Sequence, residues 1–461
     1  MNGSSALLAI AHIFLCYVLF FSFNNPFGYG ATVAEKSKPS ICSGPETGLR
    51  VVHKYGPCSP FGLNRTAATS SQILVQDEHR VHVLNSRSHK RRTGGRKRKR
   101  KGRGKRRAGG GKRKGKGEAA TGLDLLNDSV GAANYLVQVG FGTPAKYFNL
   151  VLDTGSYITW VRCQLCTGSS CPQQHNDSLY YPSFSATSSI DPCWPWCNYT
   201  QNYMDHSYSV GFFVADTVSI EQEYEIPGFV FLCSDKQAGD FNKEDGILGL
   251  GLVSTSIEFG SFSLTSIFDN VFCYCLPTSD NSMGYVYFGE KAQEKCPFSG
   301  SYTPLLTGSD PTHYFVNLIA MTIGQSRMEI SSDGSSPSAF IDSGTVITRL
   351  PSSVYSALRT QFKRLMWGYP SARLDNVLDT CYNLEGYEKP EIPTMVLHFE
   401  NLDLNLEENA VTWKANGMSQ VCLAFAETKD DVAIIGNHQQ QNLNILYNIP
   451  DQRVEIGPGS C

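Results

Sequence analysis

Two tetrapeptides in this chain hold residue types suited to acid–base chemistry, Asp153-Thr-Gly-Ser156 and Asp342-Ser-Gly-Thr345. Each Asp closes an apolar run, Phe148-Asn-Leu-Val-Leu in one case and Ala339-Phe-Ile in the other. Gly155 and Gly344 follow, and glycine permits unusual dihedrals and close backbone approach. The hydroxyls of Ser156 and Thr345 can donate to the outer carboxylate oxygens and hold both carboxyls in one plane, with Thr154 and Ser343 alongside. Face to face, the two acids cannot both ionise, so one pKa falls, the other rises, and the pair titrates as a unit. The ionised member can take a proton from a water attacking a carbonyl carbon, while the protonated member gives its own to the carbonyl oxygen. This chemistry needs no metal, cofactor or covalent intermediate. A single Asp-Thr-Gly is a commonplace turn; the second copy is what gives the pattern weight.

The surrounding elements repeat as well. Asp153 is followed 96 residues later by Gly249, in Gly246-Ile-Leu-Gly-Leu-Gly251, and Asp342 is followed 94 residues later by Gly436, in Ala433-Ile-Ile-Gly436. Two lobes contributing one Asp each explain the duplication most economically. From Ala133 onward the texture is strand-like, as in the alternation of Tyr135-Leu-Val-Gln-Val-Gly140 and the run Tyr314–Gly324. With 42 Gly and 22 Pro, many turns and short strands are expected, giving an all-β (mainly β) bilobal fold with few helices. One helix is expected over Ser352–Trp367, where Val354, Leu358, Phe362 and Leu365 fall at near-helical spacing. A second, amphipathic one is expected over Ser71–Ser86, with Ile73, Leu74, Val75, His79, Val81, Val83 and Leu84 among charges.

Composition divides the chain. Residues 1–117 carry 24 Lys+Arg against 4 Asp+Glu, so the 16 basic and 38 acidic residues of 118–461 leave a formal charge of −22. Such a body repels nucleic acid and suits an acidic compartment. Ala6–Phe23 reads as the apolar core of a signal peptide (residues 1–30); a membrane anchor is the competing reading of so long a run. Fifteen cysteines fit an oxidising compartment. Cys163, Cys166, Cys171, Cys193 and Cys197 are read as disulfide partners of open connectivity, with a zinc site as the alternative. Between 90 and 116 the sequence is almost wholly Lys, Arg and Gly, with 17 basic residues and no acidic one. It is read as a protease-accessible linker ending a propeptide (31–117), a nucleic-acid-binding role being the alternative. The lobes are assigned to 118–310 and 311–461. Sequons at Asn127, Asn176 and Asn198, with Asn64 in the propeptide, suit an exported chain.

These stretches carry a resemblance. From about Asn134 to Cys461 the chain resembles the pepsin-like aspartic peptidases, specifically the plant nepenthesin-like group. The matching segments are Asn134–Pro144, Asp153–Trp160, Ala339–Leu350 and Ile434–Asn442. The resemblance implies a cleft between lobes, Asp153 and Asp342 as the catalytic pair, and disulfides Cys381–Cys422 and Cys275–Cys461. It implies that Tyr203 is the tyrosine of a substrate-covering flap and Trp160 its hydrogen-bonding partner. The group's flap reads Tyr-Gly-Asp-x-Ser, whereas this chain has Tyr203-Met-Asp-His-Ser207. Met204 restricts the flap backbone, and His206 adds a group that charges in mild acid.

Together these readings describe a secreted monomeric acid endopeptidase of the extracellular space (apoplast) or vacuole. It would act on peptide or protein substrates, without cofactor, metal, nucleic acid or stable membrane association. The rival is a catalytically impaired relative that binds and inhibits another secreted enzyme, for which only the altered flap speaks.

Overall fold

The alternation that begins at Tyr135 forms an antiparallel hairpin of strands Tyr135–Phe141 and Lys146–Asp153, in register from Leu136 opposite Val151 to Phe141 opposite Lys146. Side chains of successive residues leave opposite faces of a strand, so this hairpin feeds two apolar clusters. Tyr135, Val137, Val139 and Phe141 enter the main core, while Leu136 and Val151 join Ile158, Trp160, Phe213 and Ile247 in a second.

The computed structural model describes Cys42, residues 47–61, 71–82, 84–85 and 134–461. Within the last range, 166–177, 191–197, 203–207, 221–223, 239–243, 253–262, 279–282, 298–299, 309, 331–336, 374–376 and 415–418 are excepted. These residues build a mainly β protein whose sheets fold into two lobes. A 14-stranded sheet carries the strand ending at Asp153, and a 5-stranded sheet carries Ala339–Ile341, which leads into Asp342. Two 4-stranded sheets complete the second lobe.

The internal repeat is a repeat of topology. Lys146–Asp153 pairs in parallel with Gly246–Gly249, which in turn pairs antiparallel with Trp160–Arg162. Ala339–Ile341 pairs in parallel with Ala433–Ile435, which pairs antiparallel with Thr348–Pro351. Asp153 lies directly opposite Gly249. The two apolar-apolar-Gly segments noted in the sequence are therefore the neighbouring strands that support each Asp.

The expected helix over 352–367 is shorter, Ser352–Leu365, with Tyr355, Leu358 and Phe362 buried. Met366 leaves the helical conformation and Trp367 is 85% exposed, so the apolar spacing ends with Phe362 and Met366 as its last buried contacts.

The N-terminal segment is built into the body. Leu49–His53 is an interior strand of the 14-stranded sheet, antiparallel to Tyr135–Phe141 on one side and Gly284–Phe288 on the other. Lys54, next to it, forms a buried ion pair with Glu244. Residues 71–82 are helical, but the buried stripe is not the one expected: Val75 and His79 face outward, and Ile73, Leu74, Asp77, Arg80, Val81 and Leu84 are buried. The four apolar members are worth about 2 kcal/mol each on burial. The two charged members need partners, because an unpaired buried charge is far more costly than this gain.

Candidate active site

Asp153 and Asp342 come together where the two lobes meet, and neither is exposed. Their settings mirror each other. Asp153 Oδ1 accepts the N–H of Gly155 at 2.9 Å, and its Oδ2 accepts the hydroxyl of Ser156 at 2.6 Å. Asp342 Oδ1 accepts the N–H of Gly344 at 2.8 Å, and its Oδ2 accepts the hydroxyl of Thr345 at 2.6 Å. The lobes are tied across this point: Thr154 N–H donates to Ser343 Oγ at 3.0 Å, and Ser343 N–H donates to Thr154 Oγ1 at 2.9 Å. The glycines are needed for approach. A Cβ at Gly155 would lie 2.5 Å from Asp342 Oδ1, and one at Gly344 would lie 2.4 Å from Asp153 Oδ1. Behind Asp342, the side-chain amide of Asn437 donates to Ser343 O at 2.9 Å, and that of Gln440 to Ile435 O at 2.8 Å.

The space between the carboxyls is filled by Arg80. Its Nη2 donates to Asp153 Oδ1 at 2.7 Å and to Asp342 Oδ1 at 2.9 Å; Nη1 reaches Asp153 Oδ2 and Nε reaches Asp342 Oδ2, both at 3.3 Å. Burial works against the guanidinium's charge, but the two carboxylates outweigh it and raise the Arg80 pKa above its ordinary value. Burial likewise pushes Asp342 up, and the Arg80 charge with the Thr345 hydroxyl reverses this, leaving its carboxyl below the usual range.

One helical turn earlier, Asp77 accepts the N–H of Val346 at 2.6 Å and of Ile347 at 3.2 Å, and pairs with Arg349 Nη2 at 2.7 Å. Glu78 pairs with Nη1 of the same guanidinium. Counting only the apolar positions of 71–86 gives the charges among them no role, which is why Asp77 and Arg80, and with them Arg349, are missed. The signal was present: Leu74, Asp77, Arg80, Val81 and Leu84 recur at helical spacing, with charges inside the apolar stripe.

The remaining sequence candidates fall as follows. Trp160 is buried among Ile158, Phe213 and Leu232. The antiparallel strands Asn198–Asn202 and Tyr208–Ser219 bracket the flap positions, but Tyr203, Met204 and His206 themselves lie outside the described residues. So do Asn127 and Asn176, the stretch 1–41 and the basic run; Asn198 lies in a strand opposite Phe212. Disulfides join Cys275 to Cys461 and Cys381 to Cys422, and further ones join Cys42 to Cys58, Cys163 to Cys233 and Cys273 to Cys296. The first cysteine of the dense cluster thus pairs far outside it. Among the described residues no group of three or more His, Cys, Asp or Glu could hold a metal ion, and no helix is long and apolar enough to cross a membrane.

A duplicated strand arrangement presenting two facing aspartates defines a class, and the comparisons agree with it. Residues 134–458 match the family described as eukaryotic aspartyl protease, and the chain belongs to that family. It is similar to an aspartyl protease family protein of Arabidopsis thaliana, at 33% identity over 446 residues, covering 90% of this chain and 88% of that one. Aspartic proteinase nepenthesin-1 of Nepenthes gracilis is 28% identical over 358 residues, covering 72% and 79%. Among solved structures, conglutin gamma, a basic 7S globulin from lupine seeds, shares the fold with a TM-score of 0.57 at 17% identity, over 72% of this chain and 93% of that one.

Proposed function

We propose that the chain is the precursor of an exported aspartic endopeptidase that works in an acidic extracellular or vacuolar space, with Asp153 and Asp342 as the catalytic pair. The observation that carries this reading is the mirrored setting of the two carboxyls, each fixed by one glycine N–H and one hydroxyl and locked across the lobes by Thr154 and Ser343. Once Arg80 is withdrawn, like charges at this range allow only one acid to ionise, so the pair keeps a proton. The space Arg80 occupied then takes a water. The ionised acid removes a proton from it as it attacks the peptide carbonyl, and the other acid protonates the carbonyl oxygen. An extended substrate is held in the cleft by main-chain bonds, with residues 203–207 covering it. Residues 31–117 act as the propeptide, 118–310 and 311–461 as the lobes.

The test compares intact and processed chain on an unfolded protein between pH 3 and 7. The processed chain should cleave best in acid and the intact chain at neutral pH should not cleave. A processed, folded chain that cuts nothing would transfer the case to the binding role.

Acid should also release the propeptide, and His53 supplies part of the reason. It lies edge-on to Tyr135 at 5.3 Å between ring centroids, with the Tyr55 ring also edge-on at 6.0 Å and Lys54 adjacent in sequence. Burial first, then the nearby His438 and Lys54, lower its pKa from 6.5 to about 4. A freed propeptide would protonate His53 near 6.5, so the docked state loses stability as pH falls from 6.5 towards 4, by about 3 kcal/mol at most. His53→Phe should therefore move release, followed by activity onset or by protease access to the propeptide, to lower pH. An unchanged midpoint would remove His53 from the mechanism.

A further inference from the structure

Arg349 is 1% exposed, and its guanidinium has, among the described residues, only two partners, the carboxylates of Asp77 and Glu78. Both belong to the N-terminal segment. The Asp77 carboxylate is received by more than the guanidinium: the main-chain N–H groups of Val346 and Ile347 also converge on it. These donors follow directly on Thr345, and Asp77 sits one helical turn, about 5 Å along the axis, from the Arg80 that occupies the space between the two aspartates. Arg349 stands seven residues after Asp342, as Trp160 stands seven after Asp153, and each faces the supporting strand of its Asp, at Ile434 and Ile247 respectively.

Removing the N-terminal segment takes away both of the guanidinium's partners at once. The same step uncovers the guanidinium and leaves it and the two aimed N–H groups facing the opened space, a donor set whose geometry a carboxylate satisfies better than water does. Among the described residues outside the N-terminal segment, Glu427 lines the same pocket as Arg349, but it already accepts the hydroxyl of Ser352.

We propose that in the processed protein Arg349 and the N–H groups of Val346 and Ile347 form a subsite for a substrate carboxylate, so that an Asp or Glu within about four residues of the scissile bond is selected. Asp77 is then a built-in occupant of the subsite, holding the carboxylate where the substrate's own will lie. This rests on the peptidase reading above. Arg is suited to the task because its planar fork meets a carboxylate through two parallel N–H bonds, which fixes direction as well as charge.

The experiment uses the processed protein and a set of peptides sharing one cleavable sequence, with Asp or Asn placed in turn at each of four positions on either side of the cut. Assays run at pH 5, where an Asp side chain is ionised. At one position on one side, Asp should exceed Asn by about 10- to 100-fold in kcat/KM, chiefly through KM. The preference should vanish in Arg349→Met, survive in reduced form in Arg349→Lys, and fade in the wild type as pH falls below about 4, when the substrate carboxyl protonates. The wild-type comparison and its pH dependence carry the test even if Arg349→Met fails to fold. Equal rates for Asp and Asn at every position, or a preference that a folded Arg349→Met retains, would overturn the subsite and leave the peptidase reading standing. A wild type that cleaves none of the peptides would overturn the peptidase reading, and the subsite with it.

Discussion

Asp342→Asn in the processed protein should lower kcat for peptide cleavage by about 1,000-fold or more while leaving KM within about threefold. The amide keeps the volume; its oxygen can still accept the N–H of Gly344, and its NH2 can donate to the Thr345 hydroxyl oxygen once that hydroxyl turns, so the loop after the strand should stand. What it cannot do is ionise or pass a proton. With one acid left, that acid titrates as a single carboxyl, so the pH–rate profile should lose the two-sided form expected of a proton-sharing pair. The substitution acts on the reaction rather than on substrate contacts, which is why kcat and not KM should carry the loss. A folded Asp342→Asn protein within tenfold of the wild type would end the assignment of this pair. The folding control is thermal unfolding, and Asp153→Asn, mirrored in setting, should behave alike.

Much of this site could be read in the sequence because it is made of short-range grammar. Asp153 and Asp342 end apolar strands, their glycines follow at once, and their hydroxyl donors stand three residues on. The strand support could also be read, since Gly249 and Gly436 are duplicated at 96 and 94 residues. A Cβ on Gly249 would meet the backbone of Ile158 at 2.7 Å, and one on Gly436 the carbonyl of Val346 at 2.6 Å. What stayed hidden depends on long-range pairing. Asp77 and Arg80 look like the polar side of a surface helix until the body supplies Arg349 and the two aspartates, 262 or more residues away in the case of Asp342. Leu49–His53 reads as five ordinary residues of a weakly patterned stretch, yet it lies inside the largest sheet. Strand pairing of this kind depends on open edges at Tyr135–Phe141 and Gly284–Phe288, and no local pattern states that they are open. The helix stripe was misassigned for the same reason: apolarity was counted, and a charge that is buried because it is paired does not count as apolar.

Arg80→Met should make the intact precursor leaky, raising the fraction with an accessible site by about 100-fold near pH 6. The wild-type guanidinium satisfies two buried carboxyls at once, through Nη2 to both and through Nη1 and Nε to one each. Methionine fills similar space and leaves those acids facing each other without a cation. The helix can then stay docked only if the pair holds a proton, and that requirement sets the direction of the pH effect. In the wild type the Asp342 pKa is lowered on docking, so the stability it lends is present above the ordinary carboxylate range and lost as pH falls through it. In Arg80→Met that contribution is absent, so the gap between variant and wild type should be widest near neutral pH and close as the carboxyls protonate. Arg80→Lys, which keeps the charge but loses the fork, should fall between them. The measurement is turnover of a small peptide by intact, unprocessed chain at pH 4 to 7, with mass spectrometry confirming that the chain stays intact. If Arg80→Met is as silent as the wild type at pH 6, the latch resides instead in Asp77 with Arg349 and in the strand Leu49–His53, whose sheet pairing would then suffice to keep the site closed.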